Sequence, residues 1–80
     1  MPKLPAVEGS VFAKFLETLG FRIIRTKGSH IRLAHDDGRI TSIPIHKGKI
    51  LPKGLLRKII REDLKLEYDE FTVLWENANK

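Results

Sequence analysis

Apolar residues recur every three to four positions in three parts of the chain, as expected for helices that bury one side. The first pattern covers residues 10–19 and is followed by Gly20, which can take the left-handed conformation that ends a helix. The second begins at about residue 52 or 53 and continues to about residue 62. A third, shorter pattern covers about residues 69–76, and we expect this helix to cover the core while residues 77–80 fray.

Three runs rich in β-branched and other apolar residues lie between the first two helices, at 21–25, 29–35 and 39–45. The connections, at Lys27-Gly28 and Asp36-Asp37-Gly38, are too short for helical crossovers and predict an antiparallel meander. Pro44 cannot donate a ladder hydrogen bond, which favours an edge position for the third strand. The order α-β-β-β-α predicts an α+β two-layer sandwich, with a three-stranded antiparallel sheet, helices on one face and a short C-terminal helix.

The size and composition of the chain limit its organisation and its compartment. Eighty residues, of which 41% are hydrophobic, suffice for one core but not for two, so we expect residues 1–80 to form a single domain. The absence of cysteine excludes disulfides and thiolate zinc sites and suits a reducing environment. Because no apolar run approaches the roughly 20 residues of a membrane span and no signal peptide is recognisable, we expect a soluble cytoplasmic protein with no membrane partner.

The charge is positive and unevenly distributed along the chain. The net charge is +5, and residues 1–65 contain 14 Lys and Arg against 6 Asp and Glu, whereas residues 66–80 contain 1 against 4. A basic body of this kind favours a polyanionic partner, although many small proteins are modestly basic without one. Charge alone therefore leaves nucleic-acid binding open.

Strand alternation places His30 and Arg32 on one side of the second strand, because Ile31 and Leu33 fill its apolar phase. If both main helices pack on the apolar side, this imidazole and guanidinium lie side by side on an open sheet. The imidazole could exchange a proton with a ribose 2′-hydroxyl or a leaving oxygen, and the guanidinium could hold the phosphate. Both groups together suffice for slow RNA cleavage without a metal. Spacing alone, however, more often indicates a solvated surface histidine.

The other two histidines differ in their sequence environment. His46 lies beside Lys47, Gly48 and Lys49 in a loop whose amides and lysines could bind phosphate, which makes it a second candidate acid or base. His35 is in the core phase at a hairpin end, and we expect it to be structural. The three histidines lack the helical spacing and the carboxylate neighbours of a metal site, so we predict no metal and no other cofactor.

Further cations could extend a phosphate-binding surface. Those that flank the first strand are better placed to do so around His30 than those of the second helix, which equally suit a solvated face. The first group is Arg22, Arg25 and Lys27, and the second is Lys53, Arg57, Lys58 and Arg61. Base stacking by the phenylalanines is not expected, because Phe12, Phe15, Phe21 and Phe71 fit the core. The roles of Tyr68 and Trp75 remain open.

Several short elements resemble, in their order and spacing, those of one protein family. They are Leu4-Pro5, Leu19-Gly20-Phe21, Lys27-Gly28-Ser29-His30, Asp37-Gly38-Arg39, Ile43-Pro44-Ile45-His46, Lys47-Gly48-Lys49-Ile50-Leu51, Gly54-Leu55-Leu56-Arg57-Lys58-Ile59-Ile60 and Glu70-Phe71. Over nearly its whole length, the chain resembles the HicA-type toxins, which are small messenger-RNA interferases of bacterial and archaeal toxin–antitoxin modules. One departure is Glu8-Gly9-Ser10, where many relatives have a basic third residue, and this argues against RNA binding by the first helix.

This resemblance implies a fold like that of double-stranded-RNA-binding domains and metal-independent endoribonuclease activity with His30 as the catalytic residue. It also implies a HicB-like antitoxin that covers this histidine. On this hypothesis Gly28 and Ser29 shape the approach to His30, while the backbone of the messenger RNA is held by a basic surface that comprises Lys27, Arg32, His46, Lys47 and Lys49. Two alternatives remain, a non-catalytic module that binds double-stranded RNA and a domain that acts through protein contacts alone.

Overall fold

The computed structural model describes residues 4–78, which form helices and strands in the predicted order. The chain contains a first helix, a three-stranded meander, a second helix that continues into a π-helical segment, and a third helix. Their bounds are α1 Gly9–Thr18, β1 Arg22–Lys27, β2 His30–Ala34, β3 Ile40–Pro44, α2 Lys53–Lys58, the π-helical segment Ile59–Asp63, and α3 Tyr68–Ala78.

The three strands form one antiparallel sheet in the order β1-β2-β3, which confirms the meander and the edge position of β3 that Pro44 predicted. The first strand extends to Lys27, which pairs with His30, so the bend lies at Gly28 and Ser29 and not at Lys27 and Gly28. The pairing of β1 with β2 shifts between Ile23 and Arg25, as in a β-bulge.

The hydrophobic core lies between one face of the sheet and the helices, which confirms the α+β sandwich. All four phenylalanines are buried, as predicted. The sheet contributes Leu33 and Ile43, while α3 covers the core with Phe71 and with the half-buried Trp75, whose ring lies 5.0 Å from that of Phe15. Trp75 therefore packs on the core, as does the half-buried Tyr68.

The second helix changes its hydrogen-bond pattern at Ile59, a feature that the apolar spacing did not predict. The amide of Leu64 donates to the carbonyl of Ile59 over 2.8 Å, one residue further than in an α-helix. Leu64 is fully buried, and its carbonyl accepts a 2.7 Å hydrogen bond from the guanidinium of Arg39. The end of this segment is thus attached to the second hairpin.

The start of α1 packs closely against β3. A Cβ atom at Gly9 would lie only 2.1 Å from the carbonyl oxygen of Pro44, so only glycine fits there.

At the other end of the chain, Asn77 and Ala78 belong to α3, and their predicted fraying is wrong. The predicted fraying of Asn79 and Lys80 lies outside the described residues. Across residues 4–78, no helix has the length and apolar character required to cross a membrane.

Candidate functional site

The face of the sheet opposite the core contains a cluster of polar and cationic side chains. Register and alternation bring together residues from all three strands, because Lys27 pairs with His30, Arg25 pairs with Arg32, and Arg32 pairs with Ser42. These five side chains are exposed, whereas Leu33, in the other phase of β2, is fully buried. His30 and Arg32 share the open face, as strand alternation predicted.

The same five residues line a concave pocket of about 260 Å³, which we call the histidine pocket. It contains one imidazole, three cationic side chains and one hydroxyl. In the described chain, no carboxylate pairs with Arg25, Lys27 or Arg32, since the arginine–carboxylate ion pairs there join Arg22 to Asp36 and Arg39 to Asp37. The pocket therefore offers its positive charge to an anion from solution, and a phosphate diester is an anion of suitable size.

Two members of the histidine pocket were not among the principal sequence candidates. Arg25 was considered only as an extension of the basic patch, and Ser42 was not considered at all. Both follow from pairing, since Arg25 lies two residues before Lys27 on β1 and Ser42 lies opposite Arg32 on β3. The register of the second hairpin, applied residue by residue, would have identified Ser42.

Gly28 and Ser29 form the turn between Lys27 and His30 and hold these two residues opposite each other. Gly28 has a φ of 56°, and a Cβ atom there would meet no atom within 4 Å, so its surroundings are open. The carbonyl of Ser29 accepts a hydrogen bond from the amide of Ile45, which ties the turn to the end of β3. The turn between two residues of the pocket is thus joined to the end of β3.

The loop at residues 46–49 is exposed, but His46, Lys47 and Lys49 do not line the histidine pocket. The loop was expected to offer free amides to phosphate. The amide of Gly48 instead donates to the carboxylate of Glu8 over 2.9 Å, so this amide is occupied and a negative charge lies beside it. The amide of Lys49 donates to the carbonyl of His46, so neither of these two amides is available to a phosphate.

His35 has a structural environment, in agreement with its position in the sequence. Its Nε2 lies 3.2 Å from the carbonyl oxygen of Leu19, its Nδ1 accepts a hydrogen bond from the amide of Asp37, and its ring packs on Phe21. A Cβ at Gly20 would lie 2.9 Å from this Nε2, so the residue after α1 must be small. The hydrogen bond from the Arg39 amide lowers the pKa of Asp37, with smaller contributions from the Arg39 side chain and His35.

A second groove, of about 370 Å³, begins where the histidine pocket ends, because Arg32 and Ser42 line both. We call it the β3 groove. It lies between β3 and the second helix, and its lining comprises Arg32, Ile40, Thr41, Ser42, Leu55, Lys58, Ile59 and Asp63.

The cations of α2 and the π-helical segment that follows it have different surroundings. Lys58 lines the β3 groove, whereas the guanidinium of Arg61 lies 5.3 Å from the ring centre of Tyr68. Lys53 and Arg57 are exposed and line neither cavity.

Comparison with known proteins gives one family. Residues 9–65 match the family described as HicA toxin of bacterial toxin-antitoxin. This range includes the whole sheet and every residue of the histidine pocket and the β3 groove. No curated protein matches the chain. Among residues 4–78, no three His, Asp or Glu side chains come together in an arrangement that could hold a metal ion.

Proposed function

Because the chain belongs to the HicA toxin family of bacterial toxin–antitoxin systems, we propose that it cleaves messenger RNA and that His30 is the catalytic residue. Membership of this family makes it the toxin of such a module, with an antitoxin as its partner. The endonuclease activity, the role of His30 and the RNA substrate form our proposal.

One observation is the main support, namely an exposed imidazole in a pocket with three unpaired cations. Arg25, Lys27 and Arg32 would bind the backbone of RNA by charge, and a guanidinium can contact two phosphate oxygens at once. The open face leaves room for a polymer, since the helices pack on the other side of the sheet.

The proposed reaction is a transesterification. His30 removes the proton of a ribose 2′-hydroxyl, the 2′ oxygen forms a bond to the adjacent phosphorus, and the bond from phosphorus to the 5′ oxygen breaks. The leaving oxygen takes a proton from solvent water, and a 2′,3′-cyclic phosphate remains. Arg32 stabilises the negative charge of the phosphorane, while positioned proton transfer by His30 contributes about 10²- to 10⁴-fold in rate. The imidazole and guanidinium supply this chemistry without a metal or another cofactor.

The remaining site residues act on binding. Gly28 and Ser29 shape the approach to His30, and Lys27 adds a backbone contact. His46, Lys47 and Lys49 contact phosphates further along the RNA. We further propose that the antitoxin is HicB-like and inhibits the toxin by covering the face of the sheet that contains His30. The toxin would then consist of a single domain, and both proteins would act in the cytoplasm.

The test compares His30→Ala with the parent protein in RNA cleavage, RNA binding and growth arrest on expression in bacteria. Thr26→Ala is the matched control, because Thr26 is exposed on the same hairpin but lies outside the histidine pocket. We expect His30→Ala to bind RNA with near-parental affinity, to lose cleavage by at least about 100-fold, and to abolish growth arrest, while Thr26→Ala retains all three.

Other results would favour the alternatives. Equal cleavage by His30→Ala and the parent protein would refute the role of His30. Salt-dependent binding without cleavage by the parent protein would instead indicate a binding module for RNA. The absence of any salt-dependent affinity would indicate a domain that acts through protein contacts, because phosphate contacts require a steep decline with salt.

A further inference from the structure

The β3 groove differs in chemistry from the histidine pocket that it adjoins. Its walls include the apolar side chains of Ile40, which is 44% exposed, and Leu55, which is half-buried. Lys58 supplies a cation, and Asp63 supplies the one carboxylate that lines either cavity. Such a mixture suits a flat heterocycle beside a phosphate better than a second phosphate, which the carboxylate would repel.

Asp63 is held in a fixed position by the fold. Its Oδ2 accepts a 2.8 Å hydrogen bond from the hydroxyl of Thr41, which is only 3% exposed. The π-helical segment contains Asp63 and sets its position against β3. Within residues 4–78, its Oδ1 has no hydrogen-bond partner, so this oxygen can accept donors from a ligand in the groove.

The backbone of Ser42 also faces the groove. Two hydrogen bonds at the ends of the β2–β3 ladder show which residue pairs are bonded: the amide of Ile45 donates to the carbonyl of Ser29, and the amide of His35 donates to the carbonyl of Arg39. In an antiparallel ladder, hydrogen-bonded pairs alternate with pairs that are not hydrogen-bonded. By that alternation the pair of Arg32 and Ser42 is not hydrogen-bonded, so the amide and carbonyl of Ser42 point outward at the sheet edge. A ligand in the groove would meet polar backbone groups there.

From these contacts we infer that the β3 groove binds the nucleobase next to the scissile phosphate and selects guanine. Guanine presents two adjacent donors, N1–H and N2–H, and both can approach a carboxylate. Adenine and cytosine present only an amino group on this edge, and uracil presents a single N–H between two carbonyls. The faces of the base would lie against Ile40 and Leu55, and Lys58 would contact the following phosphate. This inference rests on the proposed function, since it assigns the substrate next to His30.

The experiment measures binding to uridine heptamers with one central guanosine, inosine or adenosine, each made with 2′-deoxyribose so that no cleavage occurs. Inosine retains N1–H but lacks the 2-amino group, so it separates the two donors. Fluorescence anisotropy should show about tenfold tighter binding of the guanosine oligomer than of the adenosine oligomer, with inosine between them.

The decisive variant is Asp63→Asn, which can still accept the bond from Thr41 but has lost one of its two acceptor oxygens. Glu62→Gln is the matched control, because Glu62 is the adjacent exposed carboxylate and loses the same charge. We expect Glu62→Gln to bind all oligomers slightly more tightly and to keep the parental ratio of guanosine to adenosine affinity. Asp63→Asn should bind the guanosine oligomer less tightly than the parent protein does, so that this ratio falls to near one. Ile40→Ser should also lower this ratio, although this variant leaves the hydrogen bond between Thr41 and Asp63 intact. Thermal melting of each variant verifies that it is folded.

No preference for guanosine in the parent protein, or a preference that persists in both Asp63→Asn and Ile40→Ser, would overturn the inference. Because binding is measured without cleavage, this result is separate from the test of His30. Guanosine preference without nuclease activity would leave the groove assignment standing and refute the proposed reaction. Nuclease activity with equal affinity for all heptamers would do the reverse.

Discussion

The two faces of the sheet are built from alternate residues of the same strands, yet they differ in almost every physical property. On β2, Leu33 is fully buried among the helices, while His30 and Arg32 are exposed on the opposite side. The first phase lowers the free energy of folding by removing apolar surface from water. The second phase gathers unpaired positive charge around an imidazole. Adjacent residues of one strand therefore contribute to different properties, since Leu33 stabilises the fold and Arg32 belongs to the candidate site.

The largest stability effect is expected on the buried face. Leu33→Ala should lower the free energy of unfolding by about 2 to 5 kcal/mol, because it removes fully buried methyl groups and leaves a cavity. Urea denaturation monitored by circular dichroism measures this loss. Arg32→Gln, one residue away, should change the same quantity by less than about 0.5 kcal/mol. A similar decrease in the free energy of unfolding for both variants would show that the open face also stabilises the fold.

A medium effect is expected in RNA affinity on the open face. Arg32→Gln should weaken binding to single-stranded RNA about tenfold and reduce the salt slope by about one, because one phosphate contact is lost. Arg57→Gln makes the same substitution on the exposed side of α2, outside both cavities. We expect its affinity to change less than twofold. An equal loss from Arg57→Gln would place the RNA on the helices and break the contrast between the two faces.

The smallest effect is expected at the hairpin end, where neither face is involved. The Arg39 amide, with the Arg39 guanidinium and His35, holds the pKa of Asp37 below its ordinary value of 3.8. Since the folded pKa is lowered, this stabilisation is present above the ordinary value and is lost as the pH falls through the folded value. Asp37→Asn should therefore melt slightly below the parent protein at neutral pH and together with it under strong acid.

Thermal melting over a pH series measures this difference. Asp36→Asn is the control for net charge, because Asp36 pairs with Arg22 at a position where both side chains are mostly exposed. A gap between parent and Asp37→Asn that persists well below pH 3.8 would mean that shape, and not charge, is responsible.

The strands and the position of His30 could be predicted because alternation is a local property of sequence. Ile31 and Leu33 define one phase, which assigns His30 and Arg32 to the other. The turn residues and Pro44 then give the meander and its edge. These inferences need only neighbouring residues, and the structure agrees with the meander, the edge position of β3 and the exposed face of His30, while the first turn lies one residue later than predicted.

Other features depend on contacts between distant segments and could not be read locally. The apolar positions of the second helix fit an α-helix as well as they fit the observed π-helical turn. This turn occurs together with two distant contacts, the burial of Leu64 in the core and the hydrogen bond from Arg39 to the Leu64 carbonyl. The bond between Thr41 and Asp63 joins residues 22 positions apart, so the β3 groove was not foreseen. The hydrogen bond from the Gly48 amide to Glu8, 40 positions away, likewise could not be inferred from neighbouring residues.

The outer edge of β1 has a consequence for how copies of this protein behave when crowded together. Ile23 and Ile24 are 46% and 54% exposed there, which would invite pairing with another chain. The bulge between Ile23 and Arg25 interrupts the regular edge, and the cations Arg25 and Lys27 repel the same side chains of a second copy that approaches this edge. The charges that we propose bind RNA therefore also oppose the pairing of this edge with a second copy of the chain.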